Sequence, residues 1–92
     1  MKKIEVINIM KKEIEKAGYR YKTNDSKTTD SFYFIIFSTH SKLYFRVSDH
    51  STYKNVLTFR VDKKTDYKTV VSFIKKRISD VGRRNVYSFL GV

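Results

Sequence analysis

Between positions 63 and 84 the chain carries Lys63, Lys64, Lys68, Lys75, Lys76, Arg77, Arg83 and Arg84, opposed only by Asp66 and Asp80. Ammonium and guanidinium groups at this density suit phosphate oxygens. They neutralise a polyanion, release its condensed counterions and make binding fall steeply with salt. The plainer alternative is a solvated helix face whose basic residues sit favourably near a helix C-terminus. The whole chain tips the choice. Its 92 residues hold 20 Lys and Arg against 9 Asp and Glu, a formal net charge of +11. Self-repulsion of that size is better explained by a partner than by stability. The partner expected is DNA, RNA or a nucleoprotein, with an acidic protein surface as the alternative.

A second constellation is Tyr44 beside Arg46, with Arg60 on a neighbouring strand. An aromatic ring next to cations is the surface that single-stranded bases stack on. Ordinary cross-strand pairs, with Arg stems covering rings, would give the same residues. Catalytic material is thin. Asp49-His50 is the one acid–base neighbour pair, and His40 lies in the preceding turn. Further ligands at ordered spacing are missing, so no metal or other cofactor is expected. The carboxylates are scattered, whereas a nuclease needs several that converge. Gly18, Gly82 and Gly91 make no phosphate-cradling loop, and the absence of Cys excludes disulfides and thiol chemistry.

These residues need elements to position them. Ile4, Ile7, Met10, Ile14 and Ala17 recur at helical steps, with Val6 and Ile9 widening the stripe, and Gly18 is a natural stop. Tyr19 to Lys22 reads as a short strand or an extended lead-in, and 23–31 as a polar loop. FYFIIF (Phe32 to Phe37) is a buried strand, 38–42 a hairpin connection, and LYFRVS (Leu43 to Ser48) an alternating strand. Tyr53 to Val61 alternates again, with Leu57, Phe59 and Val61 facing inward and Val56, Thr58 and Arg60 outward. A second helix follows, capped by Thr65 or Asp66, with Tyr67, Val70, Val71, Ile74, Ile78 and Val81 as its stripe and Gly82 as its end. The tail, 83–92, is too apolar to float free and either docks or meets a partner.

The expected architecture is a single α+β domain over 1–92, in the order α-β-β-β-α. Its sheet is a three-stranded antiparallel meander with two helices on one face. The other face would show Tyr44, Arg46, Thr58 and Arg60 to solvent. No apolar run spans a bilayer, and the charged start MKKIEVINIMKKEIEK is not a signal peptide, so no membrane role and a cytoplasmic location are expected.

The α-β-β-β-α order resembles the double-stranded-RNA-binding domain, whose second helix opens on a basic cluster that meets phosphates. The resemblance covers most of the chain and implies that role for Lys63, Lys64 and Lys68. The family's Lys-Lys-x-Ala-Lys start is replaced here by Lys63-Lys64-Thr65-Asp66-Tyr67-Lys68. The chain also resembles small phage and mobile-element proteins, anti-CRISPR proteins among them. Arg46-Val47-Ser48-Asp49-His50 at a strand end prompts the comparison, as does a composition rich in residues with A- and T-rich codons. Three readings result. The first is a non-enzymatic binding module that meets nucleic acid or a nucleoprotein through the second helix. The alternative is a phage-type inhibitor of a host nucleic-acid enzyme, acting by direct protein binding. The third is a homo-oligomer joined through FYFIIF or the tail.

Overall fold

Apolar side chains at Val6, Met10 and Ile14 recur every four residues, and Lys3–Lys16 coil into helix α1 with these three at 0% exposure. Ile7 completes the buried stripe, while Ile4 and Ala17 stay exposed, so the buried face is rotated from the expected one toward Val6. Gly18 stops the helix at φ 84, a left-handed conformation that Cβ-bearing residues resist. Around it the Tyr19 N–H donates to the Ile14 carbonyl at 3.2 Å and the Gly18 N–H to Glu15 at 3.0 Å. This is the paired closure that satisfies the last carbonyls of a helix.

The computed structural model describes residues 1–24, 32–39, 41–49 and 57–89, with side chains through Gly82. Strand β1 (Arg20–Thr23) follows α1, then β2 (Phe32–Phe37), β3 (Lys42–Ser48), β4 (Thr58–Arg60) and helix α2 (Tyr67–Phe89). Among the described residues the fold is α+β with two helices and one four-stranded sheet, ordered β1-β2-β3-β4. Three details depart from the expected meander. The segment expected as a short strand or a lead-in supplies a fourth strand, because Tyr21 pairs with Ile36 and Thr23 with Phe34. The final pairing, β3 with β4, is parallel: Arg46 faces Thr58 and Ser48 faces Arg60. Among the described residues the third expected strand covers Thr58–Arg60, without Leu57 and Val61. Its start at Tyr53 to Val56, the 23–31 loop beyond Asn24, His40, His50 and the last three residues lie outside the described residues.

The registers resolve which side of FYFIIF is inside. Phe34 lies opposite Phe45, Ile36 opposite Leu43 and Phe32 opposite Val47, so these six share a face with Tyr21 and Thr23 of β1. Both helices cover that face. Lys11 of α1 reaches over the Phe32 ring at 5.7 Å, and Phe73 of α2 meets Phe45 and Phe59 edge-on at 5.6 and 5.0 Å. Phe34 stacks on Phe45 at 4.8 Å, so an aromatic chain runs from β2 through β3 to α2 and β4. Leu57, expected inside, is 40% exposed, and Tyr67 is 60% exposed.

Helix α2 starts at Asp66, whose Oδ1 accepts the Thr69 N–H at 2.8 Å. Of the two expected caps it is therefore Asp66, while Thr65 closes a turn by accepting the Asp62 N–H through its hydroxyl at 2.8 Å. Hydrogen bonding from Thr69, by its side chain and then its backbone, holds the Asp66 carboxyl below the usual range, with Lys68 assisting. A lowered folded-state pKa gives stability that is present above the unfolded pKa and lost as pH falls through the folded one. Asp66→Ala should therefore lower the urea midpoint at neutral pH, and that difference should shrink on acidification below the ordinary carboxylate range.

Gly82 does not end α2, which continues to Phe89 and takes in the first part of the expected tail. A Cβ at Gly82 would stand 3.1 Å from the Tyr19 hydroxyl. Its lack of a side chain thus serves the close approach of Tyr19, just past the Gly18 stop, and does not mark a helix end.

Candidate nucleic-acid interface

The basic segment begins in the turn before α2. Asp62 Oδ1 accepts the Lys64 N–H at 2.8 Å, and the Thr65 N–H donates to the Asp62 carbonyl at 3.2 Å. This fixed turn holds Lys63 and Lys64 outward, both exposed. Along α2, Lys68 and Lys75 are seven residues apart, two turns on one side, with exposed Ser72 and Ser79 beside them. Lys76 is exposed on the adjoining side. Among the described residues none of these five lysines has a carboxylate within ion-pair distance.

Arg77 is a correction. It lies three residues after Ile74 and four before Val81, on the buried stripe, and is 7% exposed. Its guanidinium sits 5.0 Å from the Phe73 ring centre, and Nη2 pairs with Asp80 Oδ2 at 3.2 Å. Nε has no hydrogen-bond partner among the described residues. Arg77 is a packing and pairing residue, withdrawn from any exposed phosphate-contacting surface. Arg83 and Arg84 belong to the last turns of α2, and their side chains lie outside what is described.

Two regions of α1 join the patch. A shallow depression brings Lys2 and Lys3 beside Lys63, with Asp49 and Asp62 on its rim. Another sets Lys16 next to Lys75 and Ile78, with Glu13 alongside. The sequence signal for these was the charge of α1 itself, which reads as an ordinary solvated face until α2 is laid beside it.

The second constellation divides by exposure. Tyr44 is 52% exposed, and Arg60 is exposed on β4. Arg46, expected beside them in solvent, is at 0% exposure and cannot meet an outside ligand without rearrangement. The helix-free face carries three cations missed in the sequence reading. Pairing of Arg20 with Phe37 and of Phe37 with Lys42 puts them in one row; Lys22, Ile35 and Tyr44 form the next. They were invisible because β1, β2 and β3 contribute them from separate stretches of chain.

Asp49 of the acid–base pair is exposed and forms an ion pair with Lys3 at 4.0 Å; His50 and His40 lie outside the described residues. Among the described residues no three His, Asp or Glu side chains gather as a metal site would need. In the same set no helix is long and apolar enough to cross a membrane. Tyr21 donates its hydroxyl to Glu15 Oε1 at 2.8 Å, and that bond, with partial burial and the Glu15 charge, raises the Tyr21 pKa above its ordinary value. It is a strut between sheet and helix.

No protein-family model matches this chain, and neither a curated protein nor a solved structure resembles it significantly.

Proposed function

We propose that this chain is a non-enzymatic binding module that meets nucleic acid, or a nucleoprotein, through the outer side of α2 and the turn before it. The observation that carries this reading is the set Lys63, Lys64, Lys68, Lys75 and Lys76, all exposed and none within ion-pair distance of a carboxylate among the described residues. Ammonium groups on a rigid helix and a pinned turn form a charge surface that needs little ordering to meet phosphates. Asp62 and Asp66 lie close by, but each has an oxygen committed to backbone N–H groups.

The test is affinity for short duplex DNA and RNA as a function of salt. Five phosphate contacts give a plot of log K against log salt with a slope near about −4.5. Absence of binding at about 50 mM salt, or a slope near zero, would rule the reading out. A protein partner captured in stoichiometric amount from nuclease-treated lysate, with no nucleic-acid binding of its own, would instead favour the inhibitor reading.

A further inference from the structure

The four strands contain Arg20, Lys22, Lys42, Arg46 and Arg60 and no acidic residue. The registers put all five on the sheet face opposite the helices, where Arg46 is buried and Arg20, Lys22, Lys42 and Arg60 are exposed. At the β1–β3 end of that face the cations alternate with apolar groups: Arg20–Phe37–Lys42 in one row, Lys22–Ile35–Tyr44 in the next. Tyr44 is 52% exposed, and the Lys42 ammonium stands 5.6 Å from its ring centre. Phe37, half-buried, is a diagonal neighbour of Tyr44, within reach for two flat groups on adjoining strands.

The geometry points to a second binding surface here, one that takes single-stranded nucleic acid. Exposed ring faces offer sequence-tolerant stacking to unpaired bases, and the flanking cations meet the backbone phosphates. A duplex hides its base faces and gains nothing from the rings. Cations placed only to guard an edge strand against pairing would account for Arg20 and Lys22 on β1. Guarding does not call for an exposed ring at Tyr44, beside the Lys42 ammonium and diagonal to Phe37. The surface is on the opposite side of the sheet from α2, so it stands or falls apart from the helix reading.

Fluorescence anisotropy with labelled oligo-dT and a labelled duplex tests it, on the full chain. Tyr44→Ala should weaken oligo-dT binding by about fivefold to a hundredfold and leave duplex binding as it was. Tyr44→Phe, which keeps the ring, should bind oligo-dT like the parent, and this variant separates stacking from any loss of folding. Changing Arg20, Lys22 and Lys42 together to Gln should flatten the oligo-dT salt slope by about 2. The proposal is overturned if Tyr44→Ala binds oligo-dT normally, or if duplex affinity falls in parallel. Competition by poly-glutamate as effective as by unlabelled oligo-dT also overturns it, since the face would then read negative charge alone.

Discussion

Changing Lys68, Lys75 and Lys76 together to Gln should reduce duplex affinity on the order of a hundredfold at about 0.1 M salt. The slope of log K against log salt should become shallower by about 2.7, roughly 0.9 for each phosphate contact removed. All three side chains are exposed, and among the described residues none is ion-paired. Thermal stability should therefore stay within about 0.5 kcal/mol of the parent. Arg77→Gln should do the reverse. Removing a 7%-exposed guanidinium from Asp80 and from the Phe73 ring lowers the melting temperature and leaves the salt slope unchanged. If the Arg77 variant changes the slope as the lysine variants do, the assignment of Arg77 to the interior is wrong. Isothermal titration at three salt concentrations, paired with calorimetric melts, reads both quantities.

Phe45→Ala should be the most damaging single substitution in the sheet. Phe45 is at 0% exposure, stacks on Phe34 at 4.8 Å and receives the edge of Phe73 at 5.6 Å. Truncation there removes the ring that links β2 to α2 and leaves a cavity that rigid strands on either side cannot close. The cost expected for such a site is about 3–5 kcal/mol. A chain of this length has a total stability of roughly 5–14 kcal/mol, so much of the margin goes. The melting temperature should drop by at least about 12 °C. Tyr44→Ala is the neighbouring control: its ring points to the helix-free face, and its urea midpoint should move little. Comparable losses at the two positions would contradict the assignment of faces.

That assignment shows how far the sequence could be read. Leu43, Phe45 and Val47 were legible as inward because strict alternation has only two faces to offer, and one of them must be buried. FYFIIF has no alternation, so its inward residues, Phe34 and Ile36, emerged only from pairing with β3. The direction of β4 was not legible. Alternation is the same read forward or backward along a strand, and a short run after a connection can pair either way. Arg77 was within reach. Positions 70, 74, 77 and 81 step by four, three and four, and a strict helical count places the arginine on the stripe despite its charge. Phe73, three residues after Val70, is legible by the same count, which sets its ring beside the stripe where it joins Phe45 to Phe59. Arg46 and Tyr44 share a face and an alternation pattern. Nothing local tells a 0%-exposed arginine from a 52%-exposed tyrosine two residues away.

Helix α1 lies against helix α2, which is made after it. The stripe Val6, Met10 and Ile14 is fully covered only in the finished molecule, where α2 supplies part of the lid. A ribosome adding about 5–20 residues per second needs roughly 3–10 s to get from the end of α1 to the body of α2. For that interval the newborn chain holds a greasy helix with no cover from α2. Early termination anywhere before residue 67 makes the condition permanent. The two helices depend on each other in time as well as in space.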